Sequence, residues 1–159
     1  MHRTVKTVSI VMIMIGFAAS FGYIMTLMQI PLKVTAFFAA LSDNRYVILL
    51  MINVLLLVLG TLMDMAPLIL ILTPILLPLV VKLGVDPVHF GMIMMVNLGI
   101  GLLTPPVGAV LFVGSAVAKL KIEVVVRALY PFFVAMLLVL AMVTYIPAVS
   151  LWLPHLMFK

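Results

Sequence analysis

The chain has 159 residues, 67% of them hydrophobic and 8% charged, with a mean hydropathy of +1.48. Soluble domains carry about 25% charged residues, so this composition excludes a soluble enzyme, a disordered segment and a nucleic-acid binder, and leaves an integral membrane protein. The formal net charge is +5, but the basic residues are scattered between apolar runs, as in membrane proteins, where they set orientation. There is no cysteine, which removes disulfides, cysteine-ligated zinc and thiolate nucleophiles.

The gaps between charges outline the elements. Residues 7–32 carry no charge, and a helix of about 20 apolar residues crosses a bilayer. A transmembrane helix over 7–28 is therefore expected. Met1–Ser20 resembles a secretory signal, with Arg3 and Lys6 ahead of an apolar run and small residues at Ala18, Ala19 and Ser20. The apolar run continues past Ser20, however, and favours the membrane helix. Gln29-Ile30-Pro31 ends it, and 32–41 reads as a short interfacial helix. Ser42-Asp43-Asn44 is a turn with a helix N-cap signal.

Residues 45–83 read as a re-entrant helical hairpin. The first arm, Tyr46–Leu59, spans only about 21 Å as helix, short of a core about 30 Å thick. The tip, Gly60-Thr61-Leu62-Met63-Asp64-Met65-Ala66-Pro67, holds a glycine, a hydroxyl, a carboxylate and a proline. The second arm, Leu68–Val81, is interrupted by Pro74 and Pro78, and Gly84-Val85-Asp86-Pro87 is a turn. The alternative is two ordinary spans meeting at Asp64, with the prolines as kinks.

Residues 88–118 read as a transmembrane helix broken in the middle, at Gly101-Leu102-Leu103-Thr104-Pro105-Pro106-Val107-Gly108. Consecutive prolines donate no N–H and disfavour helix in the residue before each. Carbonyls around Gly101–Thr104 lose their partners and need replacements within hydrocarbon. Secondary transporters use such breaks to bind substrate and coupling ion; a structural kink is the alternative. Asn97 lies two helical turns before Thr104, either as a ligand or as an interhelical hydrogen bond.

Residues 119–127 read as a surface loop or helix, and 128–153 as a last transmembrane helix. Trp152, Pro154 and His155 belong to an interface. His89, just after Pro87, reads as a helix-start residue, with a proton-relay role as the minor alternative. Basic residues weakly favour a cytoplasmic N-terminus and 119–127 loop, with the C-terminus outside. Four acids, three histidines and no cysteine supply no catalytic constellation, so no enzyme and no cofactor are expected.

The tip, then Leu72-Thr73-Pro74-Ile75-Leu76-Leu77-Pro78, Gly84-Val85-Asp86-Pro87-Val88-His89-Phe90-Gly91, and Asn97 through Gly108 together resemble the C-terminal portion of the large permease subunit of tripartite ATP-independent periplasmic (TRAP) transporters. The resemblance implies an all-α integral membrane fold of the bacterial inner membrane. It would be one half of an inverted-repeat elevator transporter, with a re-entrant helical hairpin and a discontinuous transmembrane helix. It also implies sodium-coupled uptake of an organic acid, such as a C4-dicarboxylate, sialic acid or sugar acid. The implied partners are a small membrane subunit, a periplasmic substrate-binding protein and the missing N-terminal half of the large subunit, within membrane lipid and without nucleic acid.

Carried onto this chain, the resemblance implies a sodium site at Gly60, Gly101, Thr104 and Val107. Thr61, Asp64, Asn97, Pro105, Pro106 and Gly108 would serve substrate binding or gating. No arginine lies at mid-membrane, so a substrate anion would rest on backbone N–H groups, the hydroxyls of Thr61 or Thr104, and bound sodium. A large subunit of this family is more than twice as long, and its first repeat is absent here, so the chain is expected to be a fragment inactive alone. A related divalent-anion/sodium symporter and a non-transporting membrane scaffold are the competing readings.

Overall fold

A computed structural model describes residues 2–42, 44–105 and 108–157; for His2, Arg3, Thr4, Thr7, Val11, Ala109, Leu153, His155 and Met157 it describes the backbone alone. The described residues form eight helices: α1 (His2–Leu27), α2 (Ile30–Leu41), α3 (Arg45–Leu62), α4 (Met65–Lys82), α5 (Pro87–Leu103), α6 (Ala109–Ala118), α7 (Ile122–Tyr145) and α8 (Pro147–Met157). Four stretches are long and apolar enough to cross a membrane: Val8–Leu27 in α1, and the whole of α3, α4 and α7.

Local chemistry sets the boundaries. Gln29 takes a left-handed conformation, φ 55°, and separates α1 from α2. The Asn44 side chain accepts from the Tyr46 N–H at 2.9 Å and starts α3. Asp64 caps α4 by accepting from the Met65 N–H at 2.8 Å. Asp86 accepts from the N–H groups of Val88 at 2.8 Å and His89 at 3.3 Å, with Pro87 at the first helical position, where its missing N–H costs nothing. The hydroxyls of Ser20, Thr26, Thr35 and Thr73 bond carbonyls of the preceding turn, as Thr26 does to the Gly22 carbonyl at 2.9 Å, so these four satisfy themselves within their own helices.

The core is built by α3, α4 and α5. Ile48, Ile52 and Leu56 recur every fourth residue on α3, Leu68, Leu72 and Leu76 on α4, and Phe90, Met94 and Leu98 on α5. Each row is one helical face. In lipid this burial brings no hydrophobic gain over acyl chains, so van der Waals packing and interhelical hydrogen bonds hold the helices together. By contrast α1 and α7 expose apolar side chains such as Phe17, Val134 and Leu138, as lipid-facing helices do.

Several boundaries differ from the sequence expectation. Each hairpin arm has 18 residues, about 27 Å of helix, because Gly60 and Thr61 stay helical and Pro67 falls in the first turn of α4. Arm length therefore no longer separates a re-entrant hairpin from two spans. The expected surface segment 119–127 shrinks to three residues: Lys119, φ 54°, ends α6 with the Leu120 N–H on the Ser115 carbonyl at 3.2 Å, and α7 begins at Ile122. The expected span 128–153 is corrected to two helices. Pro147 has no N–H for the Val143 carbonyl and pushes Ile146 out of the helical region, to φ −116° and ψ 88°.

Candidate ion site at the hairpin corner and the helix break

Only Met63 and Asp64, both extended, lie between α3 and α4. The last backbone bond of α3 runs from the Met63 N–H to the Leu59 carbonyl at 3.0 Å. The Gly60 carbonyl, one residue further, accepts no backbone hydrogen bond among the described residues.

The end of α5 sits against this end of α3. A Cβ on Gly101 would lie 2.7 Å from both the Cα and the carbonyl carbon of Gly60, and 3.0 Å from its oxygen. A Cβ on Gly60 would lie 3.3 Å from the Gly101 Cα. The two helices therefore cross backbone against backbone, the close approach that small residues permit between membrane helices. At position 101 only glycine fits without a shift of the facing backbone.

Beyond Gly101 the helix unwinds. The Thr104 N–H reaches back only three residues, to the Gly101 carbonyl at 3.0 Å, and its hydroxyl donates to the Ile100 carbonyl at 2.8 Å. The Leu102 carbonyl would normally accept from residue 106, which is proline and donates nothing. Gly108 restarts the chain into α6 with φ 37°. A Cβ there would meet the Thr104 oxygen at 3.2 Å and the Leu102 oxygen at 3.3 Å, so these two carbonyls converge on the bare face of Gly108. Pro105 is exposed at the break; Pro106 and Val107 lie outside the described residues.

Of the residues singled out from sequence, Gly60 and Gly101 are brought into contact, and Thr104 follows Gly101 within one turn. Thr61 and Thr104 both line a cavity of about 630 Å³ that is otherwise walled mainly by apolar side chains, including Ile100, Val126 and Leu137. The Thr61 hydroxyl donates to the Val58 carbonyl at 2.8 Å. Asp64 is an exposed helix cap. Asn97 is fully buried, and its Nδ2 donates to the Asn53 carbonyl at 3.1 Å and to Asn53 Oδ1 at 2.8 Å; of its two readings, the interhelical hydrogen bond is the one observed. Among the described residues no three His, Cys, Asp or Glu side chains converge. A cation here would thus meet backbone carbonyl and hydroxyl oxygens, the donors that unwound membrane helices offer to sodium.

Sequence reading missed Asn53 and Thr144. Asn53 is the single amide between Tyr46 and Met63, which was the available signal. Its Nδ2 donates to Thr144 Oγ1 at 2.9 Å, and the Thr144 hydroxyl donates to the Leu140 carbonyl at 2.7 Å. His89 is buried too, with Nε2 3.3 Å from the Thr144 carbonyl.

An all-helical, membrane-compatible chain with two interrupted helical elements meeting through glycine backbone is the class of molecule this geometry defines. The chain belongs to the family described as the DctM component of tripartite ATP-independent periplasmic transporters, whose model matches residues 1–149. It is 48% identical over 153 residues to the uncharacterized protein YgiK of Salmonella typhimurium, covering 96% of this chain and 35% of that protein. It is 49% identical over 146 residues to the isethionate TRAP transporter permease protein DctMQ of Oleidesulfovibrio alaskensis, covering 92% of this chain and 23% of that one. To the C4-dicarboxylate TRAP transporter large permease protein DctM of Pseudomonas aeruginosa it is 43% identical over 150 residues, 94% of this chain and 35% of that one. The chain thus spans about a third or less of the length of these curated relatives.

Proposed function

We propose that this chain is the part of a large TRAP permease subunit that carries one hairpin, one broken helix and one sodium site. The observation that carries this reading is the Gly60–Gly101 backbone contact beside the unwound residues after Leu103. The contact leaves no room for side chains and sets the free Gly60 carbonyl beside the start of a segment with further free carbonyls. Gly60, Gly101 and Thr104 would hold the ion, with Val107 as a fourth ligand. Pro105, Pro106 and Gly108 keep the segment from re-forming helix. α3 and α4 would enter and leave the membrane on one side, as a re-entrant hairpin.

The mechanism follows from charge. The site lacks an arginine, so bound sodium supplies the positive field that an organic carboxylate or sulfonate needs at mid-membrane. The hydroxyls of Thr61 and Thr104 would orient that anion. Binding the anion together with sodium lowers the net charge of the load, and a rigid elevator movement against the rest of the subunit would then carry it across the inner membrane. Names of relatives point to isethionate or C4-dicarboxylates as substrate classes. The first, N-terminal inverted repeat, a small membrane subunit and a periplasmic binding protein would complete the system, so the chain is expected to be inactive without them.

The test is sodium-dependent uptake of labelled isethionate and C4-dicarboxylates into proteoliposomes. The chain is assayed alone and together with the complementary repeat, small subunit and binding protein. Uptake confined to the complete set, and reduced in sodium dependence by Thr104→Ala, is expected. Uptake that ignores sodium, or a Thr104→Ala variant with unchanged sodium dependence, contradicts the site.

A further inference from the structure

The buried polar residues at the other end of α3 and α5 form one string. Pro147 interrupts the α7–α8 junction, and no bond from the Ala148 N–H to the Thr144 carbonyl is made among the described residues. His89 Nε2 occupies that place at 3.3 Å; a carbonyl can only accept, so Nε2 carries the proton. The Thr144 hydroxyl takes the Asn53 amide at 2.9 Å, and Asn53 takes the Asn97 amide at 2.8 Å. His89, Asn97 and Thr144 are at most 2% exposed, and Asn53 6%. The string runs eight residues along α5, about 12 Å, and stops one turn before Gly101. His89 Nδ1 and Asn97 Oδ1, at its two ends, are buried with no partner among the described residues. Such atoms are costly in an apolar interior, so apolar packing alone does not account for these residues.

We propose that His89, Thr144, Asn53 and Asn97 are positioning residues that couple the bend between α7 and α8 to the α3–α5 crossing at Gly60 and Gly101. His89 holds the bend through the Thr144 carbonyl, and the Thr144 hydroxyl passes the constraint to Asn53. Asn53 and Asn97 fix the rotation of α3 on α5. A change in the direction of α8 then changes the spacing of the carbonyls at the crossing. The coupling is mechanical; only its effect on sodium rests on reading that crossing as an ion site.

The chain has no cysteine, so spin labels can be placed in pairs on the full chain in lipid nanodiscs. Leu50→Cys with Trp152→Cys reports the bend, and Leu62→Cys with Val110→Cys reports the corner and break; all four positions are exposed. His89→Leu is expected to displace both distance distributions, and His89→Gln, which keeps an N–H donor, to restore both. Thr144→Val, close in shape, keeps the carbonyl and loses the hydroxyl; it is expected to displace the second pair and spare the first. A change confined to the bend in His89→Leu overturns the coupling, as do wild-type distances at the second pair in Thr144→Val. Sodium titration of the second pair is expected to need roughly threefold more sodium in either variant, the factor carried by an average hydrogen bond between membrane helices. A wild-type chain whose second pair ignores sodium contradicts the ion site, while the two distance tests still decide the coupling.

Discussion

The interface between α3 and α5 has two unlike ends. At one end Asn53 and Asn97 meet through side chains, with Thr144 and His89 joined to them. At the other, Gly60 and Gly101 meet with no side chains at all. Side-chain bonds between membrane helices are individually modest and tolerate small adjustments. A backbone crossing does not, since any added atom meets main chain. The difference separates two tasks along one pair of helices. The amide end sets rotation and register. The glycine end packs main chain against main chain where both helices stop being regular, and the Gly60 carbonyl there accepts no backbone hydrogen bond among the described residues.

The largest effect that could break this contrast is at Gly101. Gly101→Ala places a methyl carbon 2.7 Å from Gly60 main chain, and forcing the helices apart is expected to cost about 1–3 kcal/mol of stability, read as a lower unfolding midpoint in detergent. Gly60→Ala, with its nearest contacts at 3.3 Å, is expected to cost less. Equal effects at the two glycines would contradict the asymmetry of the crossing.

Next come the amides. Asn53→Leu removes two buried side-chain bonds, leaving the amide of the fully buried Asn97 only the main-chain carbonyl of residue 53 and removing the tie to Thr144, at about 1–3 kcal/mol. Asn97→Leu also deletes an acceptor that has no partner among the described residues, so it is expected to be the milder change, within about 1 kcal/mol. Unfolding of the two variants side by side checks the order, and the reverse order would contradict the bonding described here.

The smallest effect separates cap from charge at Asp64. Asp64→Ala should cost about 0.5–1 kcal/mol through the lost cap on α4, and Asp64→Asn close to nothing, because asparagine caps as well as aspartate. A large loss in both stability and sodium response for Asp64→Asn would show that the carboxylate charge, and not the cap, is what this corner needs.

Much of this architecture is readable from residue types. The interruption after Leu103 follows from consecutive prolines beside glycines, and the corner after Leu62 from an acid ahead of Met65-Ala66-Pro67. That acid stands out as the carboxylate of the hairpin tip, although Asp followed by a helical run is first of all an N-cap pattern. The bend at Ile146 was equally readable: the proline argument applied at Pro105 and Pro106 also holds at Pro147, within a run whose apolar composition suggested one continuous span. Other features were not readable. Periodicity reveals which face of a helix is apolar but not which helix it meets, so the bond from Asn53 to Thr144, 91 residues apart, has no local trace. The pairing of Gly60 with Gly101 was suggested by family resemblance alone; either glycine by itself could have been a turn or a kink.

The most direct test of the Gly60–Gly101 crossing as a sodium site is the thermal midpoint of the chain in nanodiscs, in sodium chloride against choline chloride of equal ionic strength. Wild type is expected to melt higher in sodium, with the difference reduced in Thr104→Ala and lost in Gly101→Ala. Identical midpoints in the two salts for wild type, or a sodium effect undiminished in both variants, would contradict an ion site at this crossing.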